Sequence, residues 1–128
     1  MTRSSIKSDI KCKVSDGVRV CRVSTPGGRT LKLSSAIGAQ PQVNIKLFTS
    51  TDCHWCKNVE QQLRKTVDRV GNLIKLDVID VQSERFNSER GIRIDALPTA
   101  VVGKNVIVGD FDDDQLWTHI WNAYQGGE

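Results

Sequence analysis

The feature that most constrains this chain is a Cys-x-x-Cys motif placed where a strand pattern gives way to a helix pattern. Cys53-His54-Trp55-Cys56 follows a strand-like run at residues 43–48 and opens a segment with apolar residues at three- and four-residue spacing. A helix N-terminus carries partial positive charge, so a thiol there ionises more easily. The motif therefore predicts a dithiol–disulfide redox site, with Cys53 as the attacking thiol and Cys56 as the resolving thiol.

Size and composition limit what surrounds this motif. The chain has 128 residues, of which 38% are hydrophobic and 26% charged, as is usual for a globular protein. We expect a basic extension and linker at residues 1–42 and one compact domain at residues 43–128. The first residues lead into no apolar leader, and nothing later is apolar enough to span a bilayer. These features predict a soluble, cytoplasmic protein with no membrane contact.

Charge is divided unevenly along the chain. Residues 1–42 hold eight basic residues and two acids, a net charge of +6, whereas residues 43–128 carry −3. A basic segment of this kind can bind an acidic partner, be solvated, or dock onto the acidic half of its own chain. Nucleic acid is an unlikely partner, because the segment has no aromatic residue for base stacking and no recognised nucleic-acid motif.

The basic segment contains Asp16-Gly17, a strong signal for a two-residue hairpin. Counting outward from that turn places Cys12 opposite Cys21 at a non-hydrogen-bonded position, where facing side chains come closest. The pair can form a cross-strand disulfide or pack as two reduced thiols, and its spacing disfavours zinc. A second turn at residues 25–28, a strand at 29–33 and a linker at 38–41 complete a predicted three-stranded meander that leans on the main domain.

The main domain shows an α/β order of elements, β-α-β-α-β-β-α. The predicted order is a strand at 45–48, a helix from the cysteines to Gly71, a strand at 73–81, a short helix at 83–90, strands at 100–102 and 106–108, and a helix from about Asp112. The first crossover predicts that the first two strands of this domain are parallel, and the turn at 103–105 makes the last two antiparallel.

Residues 43–125 resemble thioredoxin-fold proteins of the small thioredoxin/glutaredoxin type. The resemblance is carried by the Cys-x-x-Cys motif, by Leu97-Pro98-Thr99 and by residues 108–113, Val-Gly-Asp-Phe-Asp-Asp. It implies a mixed four-stranded sheet flanked by helices, and a cis-proline at Pro98 lying against the cysteines. It also implies electron exchange with protein disulfides, an unidentified thiol reductase as partner, and no cofactor beyond the redox-active disulfide.

The resemblance also implies roles for single residues and shows departures. Leu97, Pro98 and Thr99 would bind an extended substrate segment. Thioredoxins carry a buried acid where this chain has Leu47 and a tryptophan where it has Asp52. Glutaredoxins have Thr-Val-Pro at residues 96–98 and a second glycine at Asp110, in a region that binds glutathione.

Three side chains beside the thiols are candidates for tuning the site. A protonated His54 would stabilise the thiolate, Trp55 would form an apolar contact surface, and Lys57 would add positive charge. Each can equally be an ordinary exposed or packed side chain. Three further hypotheses stay open: a protein-binding module using the Pro98 groove and the basic hairpin, a glutaredoxin-like metal or iron–sulfur carrier, and an electron relay from Cys12–Cys21 to Cys53–Cys56.

Overall fold

A computed structural model of the chain describes residues 8–51, 53–81, 97–109 and 111–126. These residues form two sheets and two α-helices. The elements are β1 (Asp9–Ser15), β2 (Val18–Ser24), β3 (Thr30–Ala36), β4 (Val43–Thr49), α1 (His54–Val70), a 3-10 turn (Gly71–Leu73), β5 (Ile74–Asp80), β6 (Thr99–Val102), β7 (Asn105–Val108) and α2 (Asp113–Gln125). The predicted helix at 83–90 lies outside the described residues, as do Asp52, Ala96 and Asp110.

Strands β4 to β7 form a mixed sheet in the order β5-β4-β6-β7. β4 pairs in parallel with β5 and antiparallel with β6, and β6 and β7 are antiparallel. This confirms both predicted strand directions. Alternate residues of β4, namely Val43, Ile45 and Leu47, are fully buried in the hydrophobic core that includes the helices, as the period-two side-chain pattern of a strand requires. The carboxyl end of β4 then leads into the Cys-x-x-Cys loop.

Helix α1 forms because its apolar residues recur along one stripe. Val59, Leu63 and Val70 on that stripe are buried. The helix ends at Gly71, whose φ of 65° lies in the left-handed region that favours glycine, and whose N–H donates to the Val67 carbonyl. A Cβ at this position would lie 2.9 Å from Cζ of Arg19. Residue 71 therefore favours glycine for its backbone conformation, whereas the Arg19 guanidinium could shift to make room for a Cβ.

Helix α2 begins at the predicted acidic cluster. Asp112 is the N-cap, and its carboxylate accepts the Gln115 N–H while the Gln115 side chain accepts the Asp112 N–H. This reciprocal arrangement is a capping box. Asp113 and Asp114 occupy the first turn, where negative charge complements the helix dipole.

Strands β1, β2 and β3 form the predicted antiparallel meander. The β1–β2 register pairs Ser15 with Val18 and Cys12 with Cys21, as counted from the Asp16-Gly17 turn. β3 starts at Thr30 and continues to Ala36, three residues beyond the predicted end at Leu33. The extension occurs because Ala36 still pairs with Val18, the first residue of β2.

The meander shares a hydrophobic core with the main domain. One cluster of buried residues joins its inner face to β4, α1 and α2; the meander contributes Ile10, Cys21, Val23, Leu31 and Leu33. Acidic side chains of α2 hold the meander through its backbone: Asp113 accepts the Ser8 N–H at 2.8 Å, and Asp114 accepts the Gly27 N–H at 3.1 Å. The N-terminal segment thus packs on the acidic half of the chain by apolar contact and backbone hydrogen bonds.

Candidate redox site

The first cysteine of the motif lies where the central strand of the sheet ends and α1 begins. Cys53 is the N-cap of α1, and its Sγ accepts the Cys56 N–H at 3.1 Å. The Cys53 N–H donates to the Ser50 carbonyl at 3.0 Å, which holds the loop against the sheet edge. The sulfur of Cys53 thus satisfies one N–H of the first turn of α1. Asp52 itself lies outside the described residues.

The two cysteines form a disulfide and differ in exposure. Cys53 is half-buried, whereas Cys56 on the buried stripe of α1 has 0% of its surface exposed. An incoming thiol or disulfide can therefore approach Cys53 and not Cys56. The motif predicts Cys53 as the attacking thiol, and attack by a thiolate requires an accessible sulfur.

The residues between the cysteines project into solvent. Trp55 is 64% exposed, and His54 is exposed beside it with the two ring centroids 6.5 Å apart in an edge-to-face arrangement. Lys57 is also exposed, and the first turn of α1 contains no acidic residue. The described part of this turn therefore offers one cation, Lys57, an imidazole and an exposed indole ring near Cys53.

The proline segment lies at the same edge of the sheet. The Leu97–Pro98 peptide bond is cis, the isomer that the resemblance implies, and Pro98 is buried. Thr99 pairs with Phe48, near the end of β4, so the segment before Thr99 runs beside the loop that carries Cys53. The Gly109 N–H donates to the Pro98 carbonyl at 2.8 Å and anchors the segment to the end of β7.

Leu47, six residues before Cys53, stands where the resemblance implies a buried acid. Leu47 is fully buried in the core under α1. Ser50 also holds the loop that carries Cys53, a role that the sequence did not predict. It acts through its backbone carbonyl, for which the identity of the side chain carries no signal.

The second cysteine pair lies at the opposite end of α1. Cys12 and Cys21 form a disulfide across the meander, with Cα atoms 4.0 Å apart and Cys21 fully buried. Cys12 Sγ lies 3.3 Å from the Arg69 carbonyl oxygen. Arg69 follows Cys53 by 16 residues, a helical rise of about 24 Å. Direct thiol exchange between the two pairs of one molecule, as a relay requires, is incompatible with this separation.

The described ranges contain neither a metal-binding cluster nor a membrane-spanning helix. Within residues 8–51, 53–81, 97–109 and 111–126, no group of three or more His, Cys, Asp or Glu side chains is arranged to hold a metal ion. Across the same ranges, no helix has the length and apolar character needed to cross a bilayer.

Comparison with known proteins gives similarity in structure but not in sequence. No protein-family model matches the chain, and no curated protein matches it. Among solved structures, a malarial protein is similar with a TM-score of 0.54 and 20% identity, covering 63% of this chain and 96% of its own. Chloroplastic thioredoxin z is similar with a TM-score of 0.53 and 25% identity, covering 66% of this chain and 80% of its own.

The neighbours cover about two thirds of the chain. The main domain has a mixed four-stranded sheet, and the Cys-x-x-Cys motif forms a disulfide. Both features are consistent with the structural similarity to a thioredoxin. The chain has a thioredoxin fold, with a three-stranded antiparallel sheet added at its N-terminus.

Proposed function

We propose that this protein is a thiol–disulfide oxidoreductase that exchanges two electrons with protein disulfides through Cys53 and Cys56. The observation that carries the proposal is the asymmetry of the pair at the start of α1. Cys53 is accessible and its Sγ already accepts a backbone N–H, while Cys56 is enclosed one helical turn away. That N–H and the helix dipole favour a thiolate on Cys53 when the pair is reduced.

In the reducing direction the Cys53 thiolate attacks one sulfur of a substrate disulfide. A new sulfur–sulfur bond forms between Cys53 and the substrate, and the other substrate sulfur leaves as a thiolate that takes up a proton. Cys56 then loses its proton and attacks Cys53 Sγ, which releases the second substrate thiolate. The substrate gains two electrons, and the protein loses two as its Cys53–Cys56 dithiol becomes a disulfide. A thiol reductase would restore the dithiol.

The substrate would lie along the proline segment. Pro98 has no N–H of its own, and the preceding residue Leu97 has a backbone that an extended peptide can pair with. The exposed ring of Trp55 adds an apolar contact on the other side of Cys53. Thr99 begins β6 and is buried, so we assign it to positioning this segment rather than to direct contact with substrate.

A redox titration with alkylation and peptide mass spectrometry tests the proposal, because it measures each cysteine pair separately. We expect Cys53–Cys56 to behave as a reversible two-electron couple between about −200 and −270 mV. A pair that never interconverts reversibly would contradict the proposed function. The same spectra determine the oxidation state of Cys12 and Cys21.

Replacing His54 with proline should lower the reduction potential of the Cys53–Cys56 couple by about 30 mV or more, a tenfold change in its equilibrium constant. The reason is that a protonated imidazole stabilises the reduced dithiol, so its loss favours the disulfide. His54 is the first residue of α1, a position that accepts proline without breaking a helix. The measurement is equilibration against a thiol buffer of known potential.

Lys65→Gln is the matched control for this variant, since Lys65 is an exposed cation of α1 three turns from the thiols. Its potential should equal that of the parent protein. An unchanged or higher potential in His54→Pro would show that His54 does not tune the site.

A further inference from the structure

The outer face of the meander carries a row of like charges. The strand register pairs Lys11 with Arg22 and Arg22 with Lys32, so three basic residues lie side by side across three strands. All three are exposed, and they share this face with Lys13, two residues along β1 from Lys11. Neighbouring strands are about 4.8 Å apart, so the three basic residues occupy adjacent positions across the sheet.

Among the described residues, the contacts that hold the meander on the main domain do not involve these cations. The meander packs on the main domain through its inner face, and the α2 carboxylates bind its backbone N–H groups. Among the described residues, Asp9 lies beside the row, with its carboxylate 3.9 Å from the Lys11 ammonium. The Asp9 side chain is 62% exposed and that of Lys11 is 82% exposed. Exposed pairs of this kind contribute little. Four basic residues and one acid leave the face with a net charge of +3.

Like charges directly opposite one another on a sheet destabilise it. Arg22 has a basic neighbour on both sides, so both of its cross-strand pairs are repulsive in the folded protein. An anionic partner lying across the three strands would remove the repulsion and gain the attraction. The row is therefore complementary to several negative charges spaced over about 10 Å, the width of three strands.

We propose that the outer face of the meander, defined by Lys11, Lys13, Arg22 and Lys32, is a docking surface for an acidic protein segment. A polypeptide fits better than a nucleic acid because this face has no aromatic side chain for stacking bases. Val20 is half-buried and lies between Lys13 and Ser34 on the same face, which adds an apolar contact. Glu- or Asp-rich segments with interspersed apolar residues match this combination.

The docking surface is independent of the thiol chemistry. It lies on the meander, which contacts the Arg69 end of α1, whereas Cys53 is at the other end of that helix. Binding through Lys11, Arg22 and Lys32 therefore needs neither cysteine of the motif. The proposed redox function and the docking surface can fail separately.

Binding of fluorescent poly-L-glutamate to the full-length protein at 50 mM salt tests this assignment. Arg22→Glu should weaken binding at least about tenfold, because it reverses the central charge of the row. Lys75→Glu makes the same charge change at an exposed residue of β5 in the other sheet and should stay within about twofold. A Cys53→Ser/Cys56→Ser protein should bind as tightly as the parent.

Arg22→Glu should also raise the melting temperature by about 2–4 °C, since two repulsive cross-strand pairs become attractive. Weaker binding together with higher stability separates loss of a docking residue from unfolding, and Lys11→Glu provides a second variant with the same expectation for binding. The assignment is overturned by undetectable binding of poly-L-glutamate, by an equal loss in Lys75→Glu, or by a lower melting temperature in Arg22→Glu. Tighter binding of a 20-base-pair DNA duplex would overturn it in favour of a nucleic acid.

Discussion

Replacing Cys53 with serine should lower turnover in disulfide reduction by about 1,000-fold or more, because the variant has no thiolate at the accessible position of the site. The fully buried Cys56 cannot substitute for it, since an incoming disulfide does not reach its sulfur. Turnover is measured as reduction of an oxidised model peptide, with dithiothreitol supplying the electrons. The variant should keep its fold, because a serine hydroxyl can accept the same Cys56 N–H at the helix N-terminus.

The companion variant Cys56→Ser should stop after the first exchange. Cys53 still attacks the peptide disulfide, but nothing resolves the product, so a mixed disulfide to Cys53 accumulates and is visible by intact mass. Cys12→Ser/Cys21→Ser is the matched control, with two cysteines removed at the far end of α1, and its turnover should equal that of the parent. Full activity in Cys53→Ser, or a mixed disulfide at Cys56, would contradict the assigned roles.

Replacing Leu33 with alanine should lower the free energy of unfolding of the whole protein by about 2–5 kcal/mol, the usual cost of a cavity at a buried leucine. Leu33 belongs to the meander, is 1% exposed and lies in the same hydrophobic cluster as α1 and α2. Urea denaturation followed by tryptophan fluorescence measures the effect in the main domain, because all three tryptophans, Trp55, Trp117 and Trp121, lie there. Lys32→Ala, one residue away on the outer face, should change the free energy by no more than about 0.5 kcal/mol.

A Leu33→Ala protein whose tryptophan fluorescence transition is unchanged would show that residues 1–42 and 43–128 unfold as separate units. The shared core leads us to expect one cooperative transition instead. If the protein unfolds in one cooperative transition, deletion of residues 1–42 would expose apolar faces of the helices. Such a deletion would be a poor test of partner binding. Point variants on the outer face, such as Arg22→Glu, leave the core intact and are the better test.

Local patterns in the sequence determined most of the elements of this protein. Asp16-Gly17 set the hairpin register by counting, because a two-residue turn fixes which residues face each other. The period of the apolar residues distinguished β4 from α1, and the acids from Asp112 onward marked the start of α2. The Cys-x-x-Cys motif at a strand–helix junction was enough to locate the redox site, because the chemistry of a helix N-terminus acts over one turn.

Only the tertiary structure decided how these parts act together. Whether Cys53 or Cys56 is accessible depends on which side of α1 packs into the core, and that is set by residues distant in sequence, from β5 and from β1 of the meander. The sulfur of Cys53 caps α1, and the distance between the two cysteine pairs follows from docking of the meander at Arg69. Patterns over a few residues specify backbone conformation, whereas burial and separation depend on packing between segments that are distant in sequence.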